Sequence, residues 1–229
     1  MRLIDLLRKT YRTIKPTPIY IDDNKRIIAN YITKNPIIVE AGTCDGRDTL
    51  QMSKLWKNAQ IHTFEPIPEL FSKASENLRN AKNVRIYPLA LSNKNGETEI
   101  HVSGGLSNGS SSILAPLKHL EVHPDVSFTQ KIKIKCTTLD EWANKESIEK
   151  IDLMWLDMQG MEYNVLQACP KILKSTKAIF TEVSLIETYQ GVILYPEFRK
   201  WLESCGFVVV WEELPYEDMG NVLFVRNNI

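Results

Sequence analysis

The sequence has no CxxC pair, no apolar run long enough to span a bilayer, and no excess of charge of either sign. Its four cysteines, Cys44, Cys136, Cys169 and Cys205, are far apart. Such spacing supports neither a zinc knuckle nor a disulfide framework, so a reducing, cytoplasmic setting is the default. Basic and acidic side chains number 28 each. No global basic field therefore gathers nucleic acid or an anionic membrane, and no nucleic-acid partner is expected. No HxxxH or HxH spacing marks a metal site, and none is assigned. Residues 1–15 are basic and partly apolar, with Leu3, Leu7, Tyr11 and Ile14 on one helical stripe. They lack the long apolar core and small-residue cleavage site of a signal peptide, and are expected to pack against the body of the domain.

What is present reads as one α/β domain. Of 229 residues, 43% are hydrophobic and 24% charged, which suits a packed core. We expect a single domain over 1–229, with an N-terminal helical extension at 1–35 and a hairpin or loop insertion at 93–135. The run at 37–41, apolar apart from its acid, reads as a strand covered on both faces; 60–64, 151–156 and 178–183 read as further strands, and 84–91 as a third apolar run. Helical patterns fall between them. At 47–57 the inward candidates are Leu50, Leu55 and Trp56. At 68–79 they are Leu70, Phe71, Ala74 and Leu78. Thr138 followed by Glu141 fits a capping box. Two late apolar runs, 207–211 and 222–225, flank a polar turn and are expected to pair antiparallel at an edge. Alternation of strand and helix predicts a mostly parallel sheet with helices on both faces.

The acids are the informative residues. Glu40, Glu65, Asp157 and Glu182 each stand at or near the end of an apolar run. In an open parallel sheet the ligand sits outside the carboxyl ends of the strands, where strand order reverses. A buried acid is costly unless paired or hydrogen-bonded, whereas an acid on that rim can serve a ligand. Glu65 is placed to accept hydrogen bonds from ribose hydroxyls. Gly42 and Gly46 permit positive φ and close backbone approach. The loop between them lacks the middle glycine of GxGxxG, which argues against a pyrophosphate. Glu40 reads equally as a ligand contact or as an acid that caps the loop or the next helix. Asp157 stands where a helix N-cap would. Glu162 reads as a first-turn acid facing the helix dipole.

These residues, in this order, resemble an FkbM-type S-adenosylmethionine-dependent methyltransferase. The resemblance runs from about residue 36 to 207. It rests on Val39-Glu40-Ala41-Gly42-Thr43-Cys44-Asp45-Gly46, on Phe64-Glu65-Pro66, on Leu89-Ala90-Leu91-Ser92 before Gly96, and on Ser111-Ser112. Thr138-Leu139-Asp140, Leu156-Asp157-Met158-Gln159-Gly160-Met161-Glu162 and Thr181-Glu182 complete it. It implies a class I methyltransferase, Rossmann-like fold: a mostly parallel seven-stranded sheet with one antiparallel edge strand. It also implies S-adenosylmethionine as cofactor and O-methylation of a sugar, glycan or related hydroxylated acceptor. By the same match Glu40, Gly42 and Gly46 line the methionine part of the cofactor, Glu65 takes the ribose and Ala90 lies near the adenine. Thr43 and Pro66, within the same blocks, join the cofactor-binding set. Asp157 faces the transferred methyl, and Asp157 and Glu182 are the candidate catalytic residues. One departure stands out: Gln159 occupies a position where the family more often has Glu, so hydrogen bonding is its expected duty.

The insertion, with Ser107-Asn108-Gly109-Ser110-Ser111-Ser112, is expected to close over the acceptor. His62 reads as structural, and His101, His119 and His123 as surface residues of which one could serve as base. Tyr189 and Tyr195 could stack on a sugar or lie buried, and Trp142 and Trp155 read as core. Two other readings stay open: a nicotinamide-dependent oxidoreductase with a shortened glycine loop, and a silent module that binds S-adenosylmethionine without turnover. The oligomeric state is left open.

Overall fold

The computed structural model describes residues 21–227. The helical stripe of residues 1–15 lies outside them. The described chain runs α1 (Asp23–Ile28), β1 (Ile37–Ala41), α2 (Arg47–Leu55), β2 (Gln60–Phe64), α3 (Pro68–Leu78), β3 (Val84–Tyr87), β4 (Ala90–Leu91) and β5 (Gly96–Gly105). It continues through α4 (His119–Val122), β6 (Val126–Thr137), α5 (Leu139–Lys145), β7 (Ile151–Leu156), α6 (Glu162–Gln167) and α7 (Pro170–Lys174). The last elements are β8 (Thr176–Ser184), α8 (Tyr195–Ser204), β9 (Phe207–Glu213) and β10 (Met219–Arg226).

Seven strands form one sheet in the order β3-β2-β1-β7-β8-β10-β9. β1 pairs parallel with β2 on one side and with β7 on the other. Strand order therefore reverses between β1 and β7, and that is where a ligand crevice opens. β10 runs antiparallel to β8 and to β9. The two late runs thus pair as expected and supply the antiparallel element at that margin, with β10 one strand in from the outside.

Alternate side chains along the strands feed separate cores, because successive residues point to opposite faces. Ile38, Ile61, Leu153, Trp155 and Phe180 pack with Ile28 of α1 and Met52 of α2. Val39, Phe64, Met154, Leu156 and Ile179 pack on the other face with Trp142 of α5, Val165 of α6 and Phe198 of α8. Helices therefore cover both faces. The inward face of α2 differs from the expected one. Thr49, Met52 and Ser53 are buried, while Leu50 and Leu55 are only half-buried and Trp56 closes the turn beyond the helix. On α3 the buried pair is Ala74 and Leu78, with Leu70 and Phe71 half-buried.

The apolar run 84–91 is not one strand. β3 joins the main sheet beside β2, whereas β4 pairs with β6 in a separate three-stranded sheet, β4-β6-β5. Pro88 lies at the break; it has no N–H to extend a ladder. β5 and β6 form a long antiparallel hairpin, so the insertion is an ordered ribbon that carries the serine-rich loop at its end. The capping box is half formed. Thr138 Oγ1 accepts the Glu141 N–H at 3.3 Å, but the Thr138 N–H donates to Asn95 Oδ1 at 2.9 Å instead of to Glu141.

Candidate functional site

β1 stops at Ala41 because Gly42 turns left-handed, with φ of 87°. The Gly42 and Thr43 N–H groups both donate to the Phe64 carbonyl, at 3.2 and 3.3 Å, which ties the loop to the end of β2. Across the switch point the Asp157 N–H donates to the Ala41 carbonyl at 3.0 Å. These bonds set Gly42, Glu65 and Asp157 side by side at the carboxyl ends of β1, β2 and β7.

They border a cleft of about 570 Å³, counting its open mouth. Its lining includes Gly42, Glu65, Pro66, Ala90 and Asp157. Phe64, Ile67, Leu89 and Leu91 give it an apolar wall, and Asn108, Gly109 and Ser111 of the serine loop bound another side. Five of the eight residues expected to bind a cofactor therefore meet at one cleft. Cys44, Met158 and Met161 also line it, and the sequence reading did not single them out.

The other three expected residues lie elsewhere. Glu40 is not on the cleft wall. Its carboxylate is buried and accepts hydrogen bonds from the hydroxyls of Thr49 and, at 2.7 Å, of Thr63. It fastens α2 to β2 beneath the loop through two side-chain hydroxyls, and it does not cap α2, whose N-cap is Gly46. Thr43 is buried and its hydroxyl pairs with that of Thr49. Gly46 precedes α2 with φ of 82°, and a Cβ there would meet the Leu78 side chain at 3.1 Å. It permits helix packing rather than ligand approach.

Glu65 is almost wholly buried, at 3% exposure, and both its oxygens accept backbone N–H groups. Cys44 donates to Oε2 at 3.0 Å and Ile67 to Oε1 at 2.9 Å. Burial pushes its carboxyl up to about 7, against the pull of those two N–H groups. Each oxygen keeps a lone pair, so the carboxylate can still receive two hydroxyls.

Asp157 is not a helix N-cap; α6 begins later and Met161 precedes it. The reason is the turn at Gln159 and Gly160, both with positive φ, at 53° and 99°. That turn brings the Gln159 amide between two acids. Its Nε2 donates to Asp157 Oδ1 at 2.8 Å and to Glu182 Oε1 at 3.0 Å. Its Oε1 accepts from the Tyr189 hydroxyl at 3.0 Å. Tyr189 also lies 2.7 Å from the Ser110 carbonyl, so one phenol joins the amide to the serine loop. Tyr189 and Tyr195 are both buried and offer no stacking face. Glu162 is buried at the first position of α6 and accepts the Met158 N–H at 2.6 Å. Among the described residues no cluster of ligating side chains that could hold a metal ion is present.

Burial raises every acid of this group: Asp157 to about 6, Glu162 to about 7, and Glu182 well above the ordinary value, with the charges of Asp157 and Glu162 adding to the last. Glu40, also buried, is raised to about 7. A folded-state pKa above the unfolded one means that the native protein holds more protons in that interval. The associated stability is present at acid pH and is lost as pH rises through the folded value. His62, His101 and His119, lowered mainly by burial, act oppositely below about 6.5. Above that the carboxyls act alone. We expect the unfolding free energy of the ligand-free protein to fall between pH 6.5 and 8, by about 1.4 kcal/mol per pH unit for each proton the native state holds in excess of the unfolded one, and the urea midpoint to fall with it. A midpoint that rises over this interval would mean these acids are ionised in the native state.

The strand order, the switch-point cleft and the carboxylate beside it define a class I methyltransferase, Rossmann-like fold. Solved structures agree on the fold: a fibrillarin pre-rRNA processing protein from Methanococcus jannaschii superposes with a TM-score of 0.52 at 14% identity, over 86% of this chain and 68% of that one. The model of the methyltransferase FkbM domain matches residues 40–209. The 2-O-methyltransferase NoeI of Sinorhizobium fredii is 32% identical over 173 residues, 73% of this chain and 71% of the relative. Methyltransferase sdnD of Sordaria araneosa is 24% identical over 204 residues, 79% and 76% of the respective chains. The chain belongs to the FkbM methyltransferase family. It is a methyltransferase with S-adenosylmethionine as cofactor, and the nicotinamide-dependent reading is set aside. No helix of the described residues is long and apolar enough to cross a membrane.

Proposed function

We propose that the protein transfers a methyl group to a hydroxyl of a sugar, glycan or related small acceptor. The observation that carries this reading is the cleft at the β1–β7 switch point, with Glu65 on one wall and Asp157 on another. Its chemistry fits an adenosyl donor: an apolar wall for a base ring, a buried carboxylate with free lone pairs for ribose hydroxyls, and Gly42, whose missing side chain lets β1 and the Asp157 backbone meet closely at the cleft's floor. When bound, S-adenosylmethionine supplies a methyl group already activated by its positive sulfur.

The protein's own task is to position the acceptor oxygen and receive its proton. We assign proton acceptance to Asp157, which lines the cleft and is oriented by the Gln159 amide. With a pKa near 6 it is largely ionised at neutral pH yet basic enough to take a proton. Glu182, held by the same amide, has the secondary role of sharing charge within the group. Gln159 contributes hydrogen bonds alone. The name of the relative NoeI, a 2-O-methyltransferase, supports a hydroxyl acceptor. The four free, scattered cysteines accord with a cytoplasmic setting.

The donor assignment is tested at Glu65. Replacing it by alanine should weaken S-adenosylmethionine binding by roughly 1–3 kcal/mol, the scale of a charge-assisted hydrogen bond. Calorimetry measures this directly, and an unchanged affinity would take Glu65 out of the donor site. Titration with NAD in parallel should give no heat.

A further inference from the structure

A second cleft of about 810 Å³, counting its open mouth, adjoins the first; Gly109 of the serine loop lines both. Its walls carry Ser107, Ser110, His119, His123, Gln159 and Tyr216. The donor reading leaves all of these except Gln159 without a duty.

Three features show a built site. His123 Nε2 lies 2.8 Å from Asp218 Oδ2, and Asp218 is 3% exposed. A buried carboxylate thus holds the ring and leaves Nδ1 available. His119 is 1% exposed, stands 4.9 Å from His123 between ring centroids, and has no hydrogen-bond partner at Nδ1. A buried ring nitrogen without a partner is costly and asks for an explanation. Finally, the wall residue Gln159 is the one whose amide holds Asp157, so one side chain separates this cleft from the group assigned to take the proton, which lines the first cleft.

We propose that this cleft is the acceptor site and that it receives an uncharged polyol such as a sugar ring. Its hydroxyls are gripped by His119 and by the Asp218-held His123, and its apolar face rests on Tyr216. The proposal rests on the donor reading of the adjoining cleft.

The chemistry of the walls selects the class. Hydroxyl, imidazole and amide groups both donate and accept, as a hydroxyl-bearing ligand requires. Burial, with the nearby His123 adding to it, lowers the His119 pKa, so the ring is neutral and can do either. No lysine or arginine lines the cleft, and an anion would meet Asp218 and, beyond Gln159, Asp157. Tyr216 is 64% exposed and, with Met219, presents the kind of face on which a sugar ring packs.

The test uses the full chain, S-adenosylmethionine with a labelled methyl group, and methyl α-glucoside, methyl α-mannoside and methyl α-fucoside as probes, with glucose 6-phosphate as the anionic counterpart. At least one neutral glycoside should take up label in preference to the phosphate ester. Tyr216→Ala and His123→Gln should each raise its KM about tenfold or more, the scale of one lost contact, while donor affinity by calorimetry stays unchanged. Tyr216 is exposed, so that variant should fold whatever His123→Gln does. An unchanged KM in a folded Tyr216→Ala variant removes the acceptor from this cleft. Preference for the phosphate ester overturns the uncharged class. No labelling of any glycoside, with the donor still bound, overturns the polyol class and leaves the donor reading standing. No donor binding by the wild-type chain fails the reading beneath both.

Discussion

Gly42→Ala should be the most damaging single methyl group that can be added to this protein. A Cβ at this position would stand 1.8 Å from the Asp157 carbonyl oxygen and 2.9 Å from its carbonyl carbon. Both obstacles are backbone, so no side-chain rotation relieves them. The φ of 87° adds strain that glycine does not feel. Relief requires β1 to part from β7 at the centre of the sheet, where the Asp157 N–H meets the Ala41 carbonyl. We expect a loss of about 4 kcal/mol or more, the range of exceptional core mutations, and no measurable donor binding. Thermal unfolding and calorimetry read both effects. Gly46→Ala is the control: it carries similar φ strain, at 82°, but its Cβ would stand no nearer than 3.1 Å, to the Leu78 side chain, with the Ala74 backbone at 3.5 Å, so the loss should be smaller. If Gly42→Ala melts with the wild type and binds donor normally, the tight β1–β7 junction is not part of the working protein.

Asp157→Asn should give the opposite profile: an intact fold with little catalysis. Asparagine keeps an oxygen able to accept the Gln159 amide, which now reaches Asp157 Oδ1 at 2.8 Å. It also removes one charge that raises the Glu182 pKa, so the buried acid group should tolerate the change. What it cannot do is take a proton. We expect kcat to fall by roughly 10²–10⁴, the usual worth of a general base, with donor affinity retained. The wild-type rate should climb with pH through the Asp157 value of about 6, and that limb should vanish in the variant. Near-normal turnover would pass the proton to another group.

The strands nearest the site were legible for a simple physical reason. A parallel strand buried on both faces is mostly apolar, so 37–41, 60–64 and 151–156 stand out and coincide with β1, β2 and β7. Glu65 was legible because an acid directly after such a run sits on the sheet's rim. The same logic left Glu40 with two readings. It is the fourth residue of β1, one position before the strand ends, and its side chain points to Thr49 and Thr63 rather than to the cleft. The cap alternative for Asp157 stood open because nothing in the residue types reveals that Gln159 and Gly160 both turn left-handed before α6 begins. The buried Tyr189 is a similar case: its neighbours in sequence are silent about a hydrogen bond to Gln159, which lies 30 positions away.

By itself, then, the sequence determined the sheet, its acid-tipped strands, the glycine bend and the family, since all of these are written in local pattern and order. Tertiary structure alone decided which acids face the cleft, that Gln159 bridges Asp157 and Glu182, and that His123 meets Asp218 across 95 positions. Periodicity specifies which side of an element is buried. It cannot specify which distant polar groups then meet, because that depends on how the packed elements bring their ends together.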